Sequence, residues 1–318
     1  MEKHLRIDVV PFKWLSLLGI FLALSLFFST CKSTPPPKPE LPVSLAFDSI
    51  EAKDPEHLSL RFTLKIANPL PSAGRVKIAS WQAELNGHKA AAGFVLENPG
   101  SSGGVSSQNF PLKPAASPAG GQSLPEQIPL RLNMDIAALA KLGLAPADNY
   151  RVNLILELDC SWDFTGSRSP VPAEKVTVSG LAAFQAVRPP EFTITAIAIL
   201  KAELINTRFR VALRIDNPNP FPVELSAFSY ELYGNGRLWA DGTEQNVIKV
   251  PAKSSLEGSL FLIMNFINMK RDLLDQIIRL EDVNYRFAGD AQVSTGSGYL
   301  PKFKTSFDLS GYSQVFDN

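Results

Sequence analysis

Hydrophobic and polar residues alternate with a period of two along most of the chain. In "RFRVALRI", Phe209, Val211, Leu213 and Ile215 share one parity, and Arg208, Arg210, Ala212 and Arg214 share the other. Successive side chains of a strand point to opposite faces, so this run is a strand with one apolar and one wet face. "VNLILELDCSWDF" places Val152, Leu154, Leu156, Leu158, Cys160, Trp162 and Phe164 on a single face. The core is therefore expected to contain Phe62, Leu64, Val211, Leu213, Tyr230 and Trp162. The period lengthens to that of a helix in "NMDIAALAKLGLA", Asn133 to Ala145, and in "NFINMKRDLLDQIIRL", Asn265 to Leu280. In the second, Leu273, Leu274, Ile277 and Ile278 form a stripe for packing on a sheet. These patterns predict a mainly β protein of antiparallel sandwiches, each with six or seven strands and one short helix.

The pattern also recurs. Shifted by 149 residues, Asn68-Pro69 falls on Asn217-Pro218, Pro71 on Pro220, Gly87 on Gly236 and Gly93 on Gly242. Leu60, Phe62, Leu64 and Ile66 fall on Phe209, Val211, Leu213 and Ile215, with no gap from about Val43 to Gly93. A fixed offset held this long points to two copies of one domain, over 41–187 and 188–318. They meet at "AVRPPEF", where Pro189 and Pro190 stiffen the crossing. Further on, "LRLNM" matches "LFLIM" at an offset of 130, so the first copy holds about nineteen extra residues. They fall in 97–127, a stretch rich in Gly, Ser and Pro that reads as a mobile surface insert. Tyr150 is then matched with Tyr285.

Each strand of the "RFRVALRI" type ends in an Asn-Pro step. Pro218 has no amide hydrogen and cannot extend a ladder, and it pushes Asn217 toward extended angles. The Asn217 carboxamide can bond backbone groups two residues on and close the strand. Pro220 and Pro222 hold the next segment extended until "VELSAFSYEL" begins a strand with Phe228, Tyr230 and Leu232 inward. Gly234 and Gly236 suit the positive backbone angles of the following hairpin. The prolines read as strand terminators; a groove-binding PxxP ligand is the alternative.

The segment "NPNPFPVELSAFSYELYGNGRLWADG" resembles the late-embryogenesis-abundant type 2 family, whose domain is also called WHy. The resemblance rests on Asn217, Pro218, Asn219, Pro220, Tyr230, Leu232, Gly236 and Gly242. The first copy keeps Asn68, Pro69 and Gly87 but has Leu70 for the second Asn and Ala83 for the Leu. The resemblance implies a β-sandwich associated with desiccation or osmotic stress, with no ligand implied.

Composition changes the picture mainly at the N-terminus. The 318 residues are 45% hydrophobic and 19% charged, with 31 basic and 31 acidic side chains. That balance gives no global field to attract nucleic acid. Trp14 to Phe28 is a fifteen-residue run without a charge, preceded by Lys3, Arg6 and Lys13. It is short for a membrane span and suits a signal-peptide core. Ser29, Thr30 and Cys31 follow, then the proline-rich "KSTPPPKPE". This resembles a loosened bacterial lipobox of the spirochaete kind, with 1–30 as signal peptide, Cys31 as the acylated residue and 31–40 as tether. An ordinary cleaved signal peptide and an uncleaved anchor are the alternatives. Lys32, where enteric bacteria use an Asp for inner-membrane retention, tilts the expected location toward the outer membrane, facing the periplasm.

No residues group as a catalytic or metal site. His57 and His88 lie in apparent turns without counterparts in the other copy, and no His, Cys and carboxylate set shows metal spacing. Cys160 reads as a small buried hydrophobe. Arg208, Arg210 and Arg214 read as a solvated face, with a phosphate or headgroup site as the alternative. Glu281 and Asp282 read as solvated caps. The expected function is non-enzymatic, without cofactor: a lipid-anchored envelope module for binding or structure under stress. The alternative is a periplasmic lipid carrier or an adapter for an envelope protein.

Overall fold

The computed structural model describes residues 41–68, 70, 72–90, 92–99, 105, 108–114, 125–144, 147–162, 174–202, 206–265, 283–313 and 315–317. The first strands are β1 (Val43–Ala52), β2 (His57–Ile66), β3 (Gly74–Leu85), β4 (His88–Lys89), β5 (Phe94–Glu97) and β6 (Asn109–Leu112). After them come β7 (Glu126–Asp135), helix α1 (Ile136–Lys141), β8 (Asn149–Trp162) and β9 (Glu174–Gln185). The later strands are β10 (Glu191–Ala202), β11 (Asn206–Asp216), β12 (Val223–Gly234), β13 (Arg237–Glu244) and β14 (Ile248–Val250). The described chain closes with β15 (Ser255–Asn265), β16 (Val283–Thr295), β17 (Lys302–Ser313) and β18 (Val315–Asp317).

The fold is mainly β and forms two sandwiches. One sheet runs β1-β2-β7-β5 and covers a second, β4-β3-β8-β9, with β6 added to β3. Further along the chain, β15-β11-β10-β18 covers β13-β12-β16-β17, with β14 added to β12. One apolar core gathers buried residues from Leu41 to Ala186, including Leu60, Phe62, Leu64, Ile78 and Leu156. The other runs from Val187 to Phe307 and includes Phe209, Val211, Leu213, Phe228 and Phe287. Burying such alternating faces against each other is the dominant stabilising term, about 25 cal/mol for each Å² of apolar surface removed from water.

The ladders correspond in detail. Val43 pairs with Ile66 in β1–β2, and Phe192 pairs with Ile215 in β10–β11. Each residue of the second pair lies 149 positions after its counterpart in the first. Gly74 pairs with Trp162 in β3–β8, and Val223 with Thr295 in β12–β16. Both latter ladders slip at the corresponding place, between Ile78 and Ser80 and between Ser226 and Ser229. In β12, Ala227 at φ 50° is part of this bulge, and it switches the buried parity from Val223 and Leu225 to Phe228 and Leu232.

Several sequence expectations need correction. Tyr285 pairs with Gly234, and the residue opposite the corresponding Leu85 is Val152, not Tyr150. The alignment was two residues out, and a two-residue shift keeps every side chain on its own face, so period-two alternation cannot detect it. Each sandwich has more strands than expected, several being only two to four residues long. One pairing is parallel: Ile197 of β10 lies beside Val315 of β18. Helix α1 is shorter than the predicted Asn133–Ala145, because Asp135 keeps extended angles (φ −106°, ψ 105°) and caps the helix by accepting from the Ala138 amide. The predicted helix over 265–280 lies outside the described residues, except that Asn265 ends β15.

The stretch 97–127 is not wholly a surface loop. Val105 and Leu112 are buried in the first core, and β6 pairs with β3 from Gly74 to Lys77. Leu112 opposite Gly74 occupies the place that Val250 opposite Val223 holds in the other sandwich. The extra residues are therefore divided between the two sides of β6. Gly/Ser/Pro composition hid a four-residue strand whose alternation is too brief to register.

Candidate binding site at the junction of the sandwiches

The Asn-Pro steps build two buried clasps. The Asn217 Oδ1 accepts from the Asn219 amide at 3.0 Å, which is the turn expected from the sequence. Its Nδ2 donates to the carbonyls of Phe221 at 2.8 Å, Pro251 at 2.9 Å and, at 3.3 Å, Val250. In the first sandwich, Asn68 accepts from the Leu70 amide at 2.9 Å and donates to the carbonyls of Ser72 at 2.7 Å and Lys113 at 2.9 Å. Both carboxamides are buried. Each ties the end of one strand to the segment entering the next and to the loop beside β6 or β14. Their role is to satisfy backbone carbonyls that leave the ladder inside the protein.

Asn219, fully buried, extends this clasp to the crossing between sandwiches. It donates to the Arg188 carbonyl at 2.8 Å and accepts from the Arg188 amide at 2.8 Å. The Arg188 guanidinium donates to the Pro218 carbonyl at 2.8 Å and pairs with Asp148. Lys253, held at φ 50°, reaches the same Asp148 carboxylate at 2.6 Å and the Pro218 carbonyl at 2.9 Å. The Lys253 ammonium, with Arg188 behind it, holds the Asp148 carboxyl below the ordinary carboxylate range. Tyr299 seals the other side: its hydroxyl donates to the Gln185 carbonyl at 2.7 Å and its ring meets Phe184 edge-on at 5.8 Å. Burial pushes the Tyr299 hydroxyl up to about 12.

A cavity of about 310 Å³ lies against this junction. Leu58, Ile136, Val187, Pro189, Pro190 and Pro218 supply its apolar wall; Tyr150, Tyr299, Arg188, Glu56 and Glu191 add polar groups. Its volume is at the small end of ligand pockets. A second, more polar hollow of about 600 Å³ lies on the outer face of β13-β12-β16-β17, with Glu231, Asp241, Asp290 and Asp308 around Arg286. Arg286 is held there by both carboxylate oxygens of Asp308, at 2.8 and 2.7 Å.

The remaining predicted residues fall in simple structural places. Gly87 (φ 84°) and Gly236 (φ 77°) each follow an asparagine with positive φ, Asn86 and Asn235, in matching hairpin turns. Gly234 has no positive φ, contrary to expectation; a Cβ there would lie 1.9 Å from Trp239 ring atoms. Gly242 makes room for the Tyr230 hydroxyl, 2.6 Å from where its Cβ would stand. His57 is exposed and bonded to Asp54, whose carboxylate raises it above the ordinary imidazole range. Cys160 is buried and its thiol is pushed up to about 11. Arg208, Arg210 and Arg214 lie on the outer face of β11, Arg214 paired with Asp216. Cys31, Pro69, Glu281 and Asp282 lie outside the described residues. Among the described residues, no group of three or more His, Cys, Asp or Glu could hold a metal ion, and no helix is long and apolar enough to cross a membrane.

Sequence reading missed the triad of Asp148, Arg188 and Lys253. These residues are 40 and 65 positions apart and sit in no repeated pattern, so only the folded crossing brings them together.

Residues 212–306 match the family model for late embryogenesis abundant protein, LEA_2. No curated protein matches the chain. Among solved structures, a protein from Archaeoglobus fulgidus is similar at 16% identity over 40% of this chain and 96% of its own, with a TM-score of 0.27. The periplasmic chaperone SfaE is similar at 12% identity over 87% of this chain and 100% of its own, with a TM-score of 0.23. A Bacteroides uniformis β-glucuronidase is similar at 10% identity over 79% of this chain but only 26% of its own, with a TM-score of 0.24. TM-scores of this size bear on neither topology nor activity.

Proposed function

We propose that the chain is a non-catalytic envelope lipoprotein carrying two LEA type 2 (WHy-like) sandwiches, a binding or structural module that supports cells under desiccation or osmotic stress. The observation that carries it is the family match over 212–306. The Asn68 clasp, 149 residues before that of Asn217 and with the same bonds, extends the reading to the first sandwich. Cys31 is the acylated residue, and 31–40 is the tether. One acyl chain binds membranes only marginally and several make a durable anchor, so the processed protein resists salt and yields to detergent. Two measurements test this. Cys31→Ala should lose labelled palmitate and membrane retention; a mutant that keeps either sinks the anchor. A deletion strain should survive drying and osmotic shock less well than its parent; equal survival sinks the stress role.

The junction cavity favours one second reading, a carrier for a small apolar ligand. Native mass spectrometry of the purified protein separates the two: a co-purifying lipid mass supports the carrier, and its absence supports the structural module.

A further inference from the structure

The two sandwiches finish the same sheet edge differently. In the first, β5 lies antiparallel along β7, with Phe94 opposite Met134 and Glu97 opposite Arg131. In the second, β15 is outermost in its sheet among the described residues. The chain that would supply the extra strand instead continues β13 along β12, as far as Glu244 opposite Phe228. Trp239 accounts for the difference. It turns inward, is buried, and stacks on Phe209 with ring centroids 5.6 Å apart. It closes the core at the edge that Phe94 and Leu96 close in the first sandwich. Among the described residues no further strand pairs with the outer edge of β15, which leaves its alternate N–H and C=O groups without a described ladder partner.

The side chains on that edge are unlike those of its counterpart. Phe261 and Ile263 share the outward face and are 68% and 63% exposed. The corresponding residues of β7, 130 positions earlier, are Arg131 and Asn133. Beside them on β11, Arg210 lies opposite Phe261 and Arg208 opposite Ile263. Neither arginine pairs with a carboxylate among the described residues. A Cβ on Gly258 would meet nothing within 4 Å, whereas Ile128 fills the corresponding place in the first sandwich.

We propose that the β15 edge docks an extended segment of a partner protein as an added antiparallel strand, one that presents apolar and acidic side chains together. The unpaired backbone supplies the ladder, Phe261 and Ile263 supply cross-strand apolar partners, and Arg208 and Arg210 call for carboxylates. The charges argue against a second copy of this chain. Two-fold pairing of β15 with itself would gather Arg208, Arg210 and Arg214 from each copy around the joined apolar patches, six arginines against Glu257 and the Arg214-bonded Asp216 from each. An anionic bilayer would satisfy the arginines but leave the strand edge unpaired.

The test uses the full chain in detergent and three fluorescein-labelled octapeptides: Val-Thr-Glu-Thr-Val-Thr-Glu-Thr, which puts Val and Glu on one face of a strand, the same peptide with Lys for Glu, and the Val-Glu peptide N-methylated at alternate residues. The Val-Glu peptide should bind, the other two should not. Phe261→Ser with Ile263→Ser, or Arg208→Glu with Arg210→Glu, should weaken it by roughly tenfold or more with an unchanged melting curve. These are surface positions, so the fold is retained. The proposal is overturned if no peptide binds at about 1 mM, if the Lys or N-methylated peptide binds equally, or if the variants bind as the parent does. It is overturned equally if phosphatidylglycerol vesicles alone engage these residues, or if sedimentation shows a dimer that Phe261→Ser abolishes.

Discussion

Gly234 and Trp239 fit together as a socket and its plug: the indole ring covers the position where any side chain on residue 234 would begin, 1.9 Å from its nearest ring atoms. Gly234→Ala should cost about 1–3 kcal/mol or more by forcing the ring off its seat. Gly236→Ala, which meets no atom but sits at φ 77°, should cost about 1 kcal/mol through backbone strain alone. Thermal melts monitored by tryptophan fluorescence distinguish them, since only the first should also change the emission of the folded state.

Asn217→Ala strips hydrogen bonds from several carbonyls and the Asn219 amide at once. The expected loss is on the order of 3 kcal/mol, because buried polar groups are left unsatisfied. Asn217→Asp keeps the acceptor and loses the donors, and should be no better. If chemical denaturation shows either variant within about 0.5 kcal/mol of the parent, the clasp is not a stability element.

Leu213 is buried at the centre of the second core, and Arg210 lies on the opposite face of the same strand. Leu213→Ala should cost on the order of 2–5 kcal/mol. Arg210→Ala should stay within about 0.5 kcal/mol. Equal effects in urea titrations would reverse the face assignment.

Asp148 has a folded pKa below its unfolded one, so its contribution is present above the ordinary carboxylate range and is lost as pH falls through the lower, folded value. The parent should therefore lose more stability between pH 5 and the acid transition than Asp148→Asn does. Parallel acid-unfolding curves for the two proteins would show that the contacts with Lys253 and Arg188 do not hold the crossing.

Cys160 is buried with its thiol pushed up to about 11. Iodoacetamide at pH 8 should leave the folded protein unlabelled at Cys160 and alkylate it promptly in denaturant. Labelling of the folded protein would mean that β8 opens to solvent.

Most of the sandwich architecture was legible because period-two alternation is a direct image of a two-faced strand, as in β8 and β11. The closing turn at Asn217 was legible because an asparagine before proline has few ways to spend its carboxamide. Three kinds of feature were not. A two-residue slip, as between Tyr150 and Tyr285, leaves the alternation intact. A bulge such as that at Ala227 changes parity without an audible signal in the residue types. Long-range polar contacts, such as Asp148 with Lys253, are made by the fold and have no local signature.

The nearly shared registers of the two sandwiches set a hazard during folding: a chain with two similar ladders can pair strands across sandwiches. The slips between strands work against this. β1 and β2 slip once, between Phe47 and Ser49, while β10 and β11 slip twice, between Ile194 and Ala196 and between Ile199 and Lys201. A β10 strand laid on β2 in the register of β1 would carry one irregularity more than β1 does. The slips are thus the feature by which the two otherwise similar pairings differ.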